Sequence, residues 1–319
     1  MKIIVLDGHG LNPGDLSWAG FEKLGEVTIY DRTPQNEQTI LERIGDAEIV
    51  LVNKVILSAE VIEKASHLKY IGVNATGFNV VDIEAARKRN IPVTNIPTYG
   101  TDAVAQFTFA LLLEIASRVG LHDHSVHQGD WQKSLDFTYF LAPTLELSGK
   151  TIGIIGYGAI GQAVAKIAHG FSMEVIYYNH REKTPKNIGD RQVSLAELYS
   201  KADIVSLHVP QTPETTQMIN TAAIDQMKND VIVINTARGG LLDEQAVTEA
   251  LNTGKISALG VDVVSSEPIQ ADNPLLKAKN AVITPHIAWS PTEARKRLMD
   301  IAVDNLDNFL KDTPKNVVN

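Results

Sequence analysis

Thr151-Ile-Gly-Ile-Ile155 runs directly into Gly156-Tyr-Gly158-Ala-Ile-Gly161, and this stretch decides the fold class. The residues before Gly156 are mostly β-branched and apolar, as in a buried strand. The segment from Ala159 to about His169 has helical apolar spacing, and Glu174–Tyr178 predicts a second strand. A strand, a glycine-rich turn, a helix and another strand form a βαβ unit, which predicts a parallel sheet.

The same alternation continues on both sides of this unit. Before it, the predicted strands are Lys2–Leu6, Val27–Tyr30, Glu48–Val52, Tyr70–Val73 and Val93–Ile96. After it, they are Asp203–Leu207, Val231–Asn235, Ala258–Val261 and Ala281–Ile283. A long apolar helix from Thr101 to about Arg118 and an irregular region at 128–150 separate the two series. We therefore predict an α/β protein with two Rossmann-like, doubly wound parallel-sheet domains.

The composition excludes several classes of protein. A net charge of −9 argues against nucleic-acid binding, which usually requires a basic face. No apolar run approaches the ~20 residues of a membrane span, and the N-terminus reads as a strand rather than a signal peptide. The sequence contains no Cys, so disulfides, thiolate nucleophiles and Cys-ligated metals are excluded. We expect a cytoplasmic protein with no nucleic-acid or membrane partner.

The glycine motif stands in the context that a dinucleotide-binding fingerprint requires. Gly156 permits the tight turn, Gly158 lets the backbone approach a pyrophosphate, and Gly161 lets the helix pack on the strand. The N–H groups of Ala159 and Ile160 would face the pyrophosphate charge. The alternative is a glycine-rich turn without a ligand, which the strand–turn–helix setting disfavours.

The end of the second strand predicts which cofactor is used. An NAD-selective site places Asp or Glu there, to bind the ribose and repel a 2′-phosphate. Here the residue is Asn179, followed by His180 and Arg181. Arg181 could pair with a 2′-phosphate, so we expect NADP or NAD, with NADP favoured. The alternative is that Arg181 is a solvated turn residue and Asn179 binds the ribose.

Arg238, Glu267 and His286 each follow the carboxyl end of a predicted strand, where open α/β sheets bind ligands. An Arg can hold a carboxylate bidentately, and a His can transfer a proton near neutral pH. A Glu on the other ring nitrogen would orient the imidazole and favour its protonated form. Each residue alone has an ordinary structural interpretation; together they predict a catalytic set.

Two further groups of side chains are ambiguous. His122, His124 and His127 suggest a metal site, but their spacing does not place all three on one helical face. We interpret them as a solvated helix end and predict no metal. Trp131, Tyr139 and Phe140, in the irregular region, suit either packing or a wall of the substrate site.

Taken together, the motifs resemble a known family. They are Gly156–Gly161, Asn235-Thr-Ala-Arg238-Gly-Gly, Gly260-Val-Asp262-Val, Glu267-Pro and Pro285-His286-Ile-Ala-Trp289. In this combination the chain is similar to the NAD(P)-dependent D-2-hydroxyacid dehydrogenases, over nearly its whole length. The start of the chain and Asn74-Ala-Thr-Gly-Phe-Asn79 are most similar to the glycerate dehydrogenase (hydroxypyruvate reductase) branch.

The resemblance implies a domain order and roles for individual residues. It implies a substrate domain of residues 1–100 plus 290–319, a cofactor domain of 101–289, a cleft between them, and a homodimer. Arg238 would bind the substrate carboxylate and carbonyl, His286 would be the acid/base, and Glu267 would pair with His286. Thr76 and Gly77 would also bind substrate through their backbone. The remaining implied cofactor contacts are Val104, His208, Val209, Pro210, Thr215, Thr236, Ala237 and Asp262.

The resemblance also implies the reaction, the reduction of a small 2-keto acid, with hydroxypyruvate or glyoxylate favoured. One alternative is a phosphoglycerate dehydrogenase-type enzyme. Another is a dinucleotide-sensing regulatory protein on the same fold. The family core fills the 319 residues, which favours a stand-alone enzyme.

Overall fold

The computed structural model describes residues 1–185 and 187–319, which divide into two compact units. Unit 1 comprises Met1–Gly100 and Trp289–Asn319, and unit 2 comprises Thr101–Ala288. Unit 1 contains a five-stranded sheet and unit 2 a seven-stranded sheet. Every strand pair is parallel. The prediction of an α/β protein with two parallel sheets is confirmed.

Unit 1 alternates short strands with short helices. Its strands are β1 (Lys2–Val5), β2 (Glu26–Ile29), β3 (Ile49–Val52), β4 (Tyr70–Val73) and β5 (Val93–Thr94). Its first helices are α1 (Gly8–Leu11), α2 (Ala19–Glu22), α3 (Glu37–Ile44), α4 (Ala59–Lys64) and α5 (Ile83–Lys88). The three longer of these begin at residues whose side chains accept a backbone N–H, namely Asn36, Ser58 and Asp82. These N-caps explain where the helices start.

The sheet of unit 1 has the order β2-β1-β3-β4-β5, so the strand order reverses between β1 and β3. Asp7 follows β1 at this reversal. Its carboxylate accepts hydrogen bonds from the backbone N–H groups of Asn53, Lys54 and Val55, which follow β3. One side chain therefore fixes the two loops at the edge of the sheet where such folds bind ligands.

Unit 2 begins with helices and continues as a longer α/β series. Its helices are α6 (Thr101–Ser117), α7 (Val119–His127), α8 (Asp130–Lys133), α9 (Ala159–Gly170), α10 (Leu195–Lys201), α11 (Thr221–Gln226) and α12 (Glu244–Thr253). Its strands are β6 (Thr151–Ile155), β7 (Glu174–Tyr178), β8 (Arg191–Gln192), β9 (Ile204–Leu207), β10 (Val231–Asn235), β11 (Ile256–Val261) and β12 (Ala281–Ile283). The last helix, α13 (Thr292–Leu310), belongs to unit 1.

The sheet of unit 2 has the order β12-β11-β10-β9-β6-β7-β8. Its strand order reverses between β6 and β9, whose last residues Ile155 and Leu207 are register partners. Loops that leave these two strands therefore diverge and open a crevice at the carboxyl edge of the sheet. The glycine motif follows β6, so the fold places it at this crevice.

Most predicted elements lie within a few residues of the observed ones, and the differences have physical reasons. The strand β8 was not predicted, because Arg191-Gln192 is polar, lies at the sheet edge and lacks apolar alternation. The predicted helix from Thr101 ends at Ser117, and Arg118 adopts a left-handed conformation before α7 begins. Most of the buried side chains of α6 belong to a core cluster of unit 2 that includes Ile154 and Val164.

Among residues 1–185 and 187–319, no single helix has both the length and the apolar character to cross a bilayer. One pair, α6 with α7, reaches the required length and composition together and is bent by 60° at the junction.

Candidate active site

The glycine motif forms a tight turn with open space in front of it. Gly156 has φ +97°, and a Cβ there would lie 2.6 Å from the carbonyl oxygen of His208. A Cβ on Gly161 would lie 2.2 Å from the carbonyl oxygen of Gly156. By contrast, a Cβ on Gly158 would meet no described atom within 4 Å, and no described side chain caps the start of α9. The turn fits a dinucleotide, whose pyrophosphate would bind at the helix N-terminus, where Ala159 and Ile160 begin α9.

The residues after β7 present donors to solvent at the same edge of the sheet. His180 and Arg181 are exposed. The side chain of Asn179 is engaged with the protein, because its Oδ1 accepts from the N–H of Tyr157 at 3.3 Å and its Nδ2 donates to the carbonyl of Arg181 at 2.9 Å. Asn179 therefore shapes this turn, and the exposed side chains beside it are the ones available to a ligand.

The turn after β9 lies against the glycine motif. The N–H of His208 donates to the carbonyl of Ile155 at 2.7 Å, and its Nε2 lies 2.8 Å from Ser206 Oγ. Although His208 keeps some exposed surface, burial of its imidazole lowers its pKa to about 3, so the ring is neutral. The Thr215 hydroxyl donates to the carbonyl of Pro210 at 2.7 Å and closes the next turn. The predicted residues His208, Val209, Pro210 and Thr215 thus border the crevice between β6 and β9.

Arg238 lies on a turn that is shaped by a buried asparagine at the end of β10. Asn235 Oδ1 accepts from the N–H of Ala237 at 3.0 Å, and its Nδ2 donates to the carbonyl of Arg238 at 2.8 Å. The guanidinium of Arg238 is exposed, and its Nη1 donates to the carbonyl of Ala237 at 2.6 Å. The turn therefore presents a fixed cation at the carboxyl edge of the sheet.

The start of α6 reaches the same turn. The Thr108 hydroxyl donates to the carbonyl of Val104 at 2.9 Å and lies 3.0 Å from the Thr236 hydroxyl. Two predicted cofactor residues, Val104 and Thr236, are thus linked through Thr108, although they are far apart in the sequence.

Glu267 and His286 are paired. Glu267 Oε2 lies 2.7 Å from His286 Nδ1, and the side chains are about one third exposed, 35% and 27% respectively. His286 has φ +55°, a left-handed conformation that is uncommon for residues other than glycine. Pairing at Nδ1 directs the other ring nitrogen, Nε2, away from Glu267, which is the arrangement of an oriented acid/base.

A buried carboxylate holds the turn that carries His286. Asp262 is 1% exposed. It accepts hydrogen bonds from the Thr284 hydroxyl at 2.6 Å and from the N–H groups of Ile287 and Ala288 at 2.9 and 2.7 Å. Asp262 was predicted as a cofactor contact, and its observed contacts give it a structural role in fixing the turn of His286.

The loops of Arg238 and Glu267 touch through Gly239. A Cβ there would lie 1.9 Å from the carbonyl carbon of Val264 and 2.4 Å from the amide nitrogen of Ser265. The strands β10, β11 and β12 that precede the loops are neighbours in the sheet. The structure therefore brings Arg238, Glu267 and His286 to one edge of unit 2.

The two predicted substrate residues outside unit 2 follow β4 in unit 1. The Thr76 hydroxyl donates to the carbonyl of Ile96 at 2.7 Å, and the carbonyl of Thr76 accepts from Asn95 Nδ2 at 2.8 Å. Gly77 comes next and is partly exposed. These contacts fix the backbone of the loop at the carboxyl edge of its sheet.

The histidines of α7 make local contacts. His122 Nδ1 lies 2.8 Å from the carbonyl of Arg118, and its Nε2 accepts from the N–H of Leu141 at 3.3 Å. His127 Nδ1 lies 3.0 Å from the carbonyl of Asp123. Within residues 1–185 and 187–319, no cluster of three or more His, Asp or Glu has the geometry to hold a metal ion.

The aromatic residues of the irregular region are largely exposed. Trp131 is 53% and Phe140 is 80% exposed. The Tyr139 hydroxyl donates to Ser125 Oγ at 3.0 Å. Packing and a wall of the substrate site both stay predictions for these three residues.

Comparison with known families identifies the kind of enzyme to which this site belongs. The NAD binding domain of the D-isomer specific 2-hydroxyacid dehydrogenases matches residues 109–288, which include the glycine motif and all three residues of the catalytic set. The chain belongs to the D-isomer specific 2-hydroxyacid dehydrogenase family. It is therefore a nicotinamide-dependent oxidoreductase, as the sequence motifs predicted.

Individual relatives agree with this assignment over their full length. The chain is 53% identical to a hydroxypyruvate reductase of Blautia hydrogenotrophica, with 100% of both chains covered. It is 39% identical to a glycerate dehydrogenase of Methylorubrum extorquens, with 99% of this chain and 98% of the relative covered. Among solved structures, an acyclic imino acid reductase in complex with NADPH and D-Arg superposes with a TM-score of 0.87, at 34% identity and with 100% of both chains covered.

Several residues that build the site were not assigned a role from the sequence. Asn235 shapes the Arg238 turn, Thr284 bonds Asp262, and Gly239 permits the close approach of two loops. Of these three residues, only Asn235 could have been found from the sequence, because it is a polar residue at the end of an otherwise apolar strand. The contacts of Thr284 and Gly239 join positions that are distant in the sequence, so no local sequence pattern predicts them.

Proposed function

We propose that this family member reduces a small 2-keto acid, hydroxypyruvate or glyoxylate, to the D-2-hydroxy acid. The observation that carries the proposal is the Glu267–His286 pair, 2.7 Å apart, at the same sheet edge as the exposed cation of Arg238. The full-length similarity to a hydroxypyruvate reductase and a glycerate dehydrogenase supports the choice of substrate.

In this proposal the bound nicotinamide cofactor supplies the hydride. His286 donates a proton to the carbonyl oxygen as that oxygen becomes an alkoxide. Glu267 holds the imidazole at Nδ1, which orients Nε2 and stabilises the protonated ring. Arg238 binds the substrate carboxylate and stabilises the charge that develops on the carbonyl oxygen. The backbone of Thr76 and Gly77 binds the substrate as well.

The cofactor residues are proposed in two groups. A pyrophosphate would be held by Gly156, Gly158, Ala159, Ile160 and Gly161. The nicotinamide and adenosine parts would be held by the turns that carry Val104, His208, Val209, Pro210, Thr215, Thr236, Ala237 and Asp262. The buried Asp262 serves the nicotinamide end indirectly, because it holds the turn of His286.

We propose that NADPH is preferred over NADH. Asn179, which follows β7, carries no charge to repel a 2′-phosphate, and Arg181 is exposed beside it. Glu214 opposes this preference in part, because it places a negative charge near His180. A hydrogen bond with Thr212 is the main cause that lowers the pKa of Glu214, and the charge of the nearby His180 contributes to the lowering. Arg181 can bind a phosphate with two N–H groups, so we expect it to prevail.

The cofactor preference is tested by measuring kcat/KM for NADPH and NADH with hydroxypyruvate, in the wild type and in Arg181→Ala. The expected result is a preference for NADPH that falls roughly tenfold in Arg181→Ala, the size of one lost charge-assisted contact. A tenfold preference for NADH that the substitution leaves unchanged would contradict it. Arg87→Ala, on the exposed surface of α5, is a matched control.

A homodimer is also proposed, formed through the segment 119–141. This segment exposes a run of large apolar side chains, namely Val119, Leu121, Val126, Trp131, Leu135, Phe137, Phe140 and Leu141. Exposed apolar patches of this kind are typical of protein interfaces. Light scattering after size exclusion is expected to give twice the 34.8 kDa of one chain. A Phe137→Asp variant is expected to be monomeric, and a monomeric wild type would contradict the assignment.

The reaction itself is tested with a panel of 2-keto acids, each with NADH and NADPH. We expect the highest kcat/KM for hydroxypyruvate or glyoxylate, a D-configured product, and a loss of turnover of roughly 10²-fold or more in His286→Ala with cofactor affinity retained. If 3-phosphohydroxypyruvate were the best substrate, the phosphoglycerate dehydrogenase alternative would replace the proposal. Cofactor binding without turnover of any keto acid would instead favour a regulatory protein.

A further inference from the structure

A buried carboxylate lies beside the glycine motif and outside the catalytic set. The side chain of Asp190 is 0% exposed. Its oxygens are bonded to the Tyr157 hydroxyl, to Asn187 Nδ2 at 3.0 Å, and to His169 Nε2 at 2.6 Å. A buried carboxylate is tolerated only where hydrogen-bond donors surround it. The three contacts of Asp190 therefore form a defined hydrogen-bonding site.

Tyr157 supplies one of these donors from within the glycine turn, between Gly156 and Gly158. Tyr157 is fully buried, and its ring stacks on that of Tyr177 in β7 with the ring centroids 3.8 Å apart. Its backbone N–H donates to Asn179 Oδ1 at 3.3 Å. Tyr157 therefore contacts both ends of the segment that comprises residues 179–185 and 187–190: Asn179 through its backbone and Asp190 through its hydroxyl.

Two more side chains hold the middle of this segment. The Tyr177 hydroxyl donates to the carbonyl of Lys183 at 2.6 Å. Gln192 Oε1 accepts from the N–H of Lys183 at 3.0 Å, and Gln192 Nε2 donates to the carbonyl of Asn179 at 3.3 Å. The exposed residues His180 and Arg181 thus lie on a segment whose backbone is tied to β7, β8 and the glycine turn.

We propose that Tyr157 is a positioning residue for the adenosine end of the cofactor, acting through its hydrogen bond to Asp190. The hydroxyl fixes Asp190 and the backbone N–H fixes Asn179, and these two contacts set the position of Asn179, His180 and Arg181 relative to the pyrophosphate turn. The inference rests on the proposed role of Arg181, and of the turn that carries it, at the adenosine end of the cofactor. It does not depend on which of the two nicotinamide cofactors is preferred.

The geometry separates this role from simple core packing. The ring of Tyr157 packs on Tyr177, whereas the hydroxyl reaches Asp190. The substitution Tyr157→Phe keeps the ring and removes only the hydroxyl, so the segment loses an anchor while the core keeps its volume. A matched control is Tyr70→Phe in unit 1, where a buried hydroxyl lies 2.6 Å from Thr94 Oγ1 and far along the chain from the glycine motif.

The experiment measures cofactor dissociation constants by fluorescence titration of NADPH and NADH in the absence of keto acid. For Tyr157→Phe we expect the dissociation constant of the preferred cofactor to rise about five- to tenfold, the effect of one lost buried hydrogen bond. We expect the KM for keto acid to stay within about twofold, and Tyr70→Phe to change neither quantity. Faster amide hydrogen exchange at 187–192 in the apoprotein would support the loosening of the segment.

The variant Asp190→Asn and the double variant test whether the two residues act together. If the hydrogen bond carries the effect, the two substitutions are expected to be non-additive in cofactor affinity. Dissociation constants within twofold of the wild type in Tyr157→Phe would overturn the proposal, even if hydrogen exchange increased. If the wild type prefers NADH and Arg181→Ala changes nothing, the NADPH proposal fails, while Tyr157→Phe still tests this inference on NADH.

Discussion

His286 is held from two sides, by its side chain and by its backbone. Glu267 Oε2 lies 2.7 Å from Nδ1, and the backbone turn at φ +55° is fixed by the hydrogen bonds of Asp262 to the next two residues. Each hydrogen bond removes a rotation that would otherwise move Nε2. The imidazole is therefore held in one orientation, as the acid/base role proposed for His286 requires.

The substitution Glu267→Gln is expected to lower kcat by roughly tenfold or more. Gln keeps the shape of Glu267 but replaces the carboxylate oxygen that lies 2.7 Å from His286 Nδ1, so the imidazole loses a charged partner that orients it. Initial rates at saturating keto acid and cofactor would measure the effect. Glu249→Gln, on the exposed face of α12, serves as the control. A kcat near that of the wild type would mean that Glu267 does not govern His286.

Arg238→Lys is expected to raise the KM for the keto acid by about tenfold or more. Lysine keeps the charge but cannot bind a carboxylate with two parallel N–H groups. Initial rates against keto acid concentration at saturating cofactor would measure the effect. Arg87→Lys on α5 provides a matched change at an exposed ion pair. Unchanged KM and kcat would assign carboxylate binding to another residue.

The loops after β10 and β11 form one structural element of the site, because they touch at Gly239. Their backbones approach so closely that even a methyl group would overlap Val264. Arg238 is adjacent in sequence to the contact, and Glu267 follows it within the same loop. Each catalytic loop therefore fixes the position of the other.

Gly239→Ala tests this coupling between loops. The added methyl must displace the loop of Glu267, so we expect kcat/KM to fall by roughly 10²-fold or more, as for other losses of catalytic geometry. The matched control is Gly170→Ala at the end of α9, where a Cβ meets no described atom within 4 Å. A circular dichroism spectrum would show that both variants fold. Activity near that of the wild type would show that the loops move independently.

Buried titratable groups affect the stability of the whole molecule, and His208 is the main case in unit 2. Burial lowers its pKa from an ordinary value of 6.5 to about 3. The folded protein therefore holds the neutral ring, whereas the unfolded chain binds a proton below about pH 6.5. The stability that depends on the neutral ring is complete above pH 6.5 and is lost as the pH falls towards 3.

His208→Gln is expected to flatten this dependence, because glutamine does not titrate. The measurement is the melting temperature between pH 7 and pH 5.5, a range in which carboxylates with ordinary pKa values stay mostly ionised. Across this range, the melting temperature of the wild type should fall by more than that of the variant, whatever the difference between the two proteins at pH 7. Parallel curves would mean that the imidazole can become protonated in the folded protein.

The sequence by itself determined the fold class and the positions of the chemical groups. In parallel α/β folds, strands are short apolar runs and ligand-binding residues follow their carboxyl ends, so both can be read from local patterns. This is why the glycine motif after Ile155 could be placed, and why Arg238, Glu267 and His286 could be predicted to share one sheet edge before any contact was known.

The tertiary structure decided the contacts between residues that are distant along the chain. The Asp262 carboxylate bonds to residues 25 or 26 positions later, and Tyr157 reaches Asp190 33 positions later. Hydrogen bonds of this kind depend on sheet order and loop course, which hydrophobic periodicity does not encode. The short polar strand β8 is another example, since its two residues form a strand only because they pair with β7. The sequence thus specified which groups are present, and packing specified which of them hold the others in place.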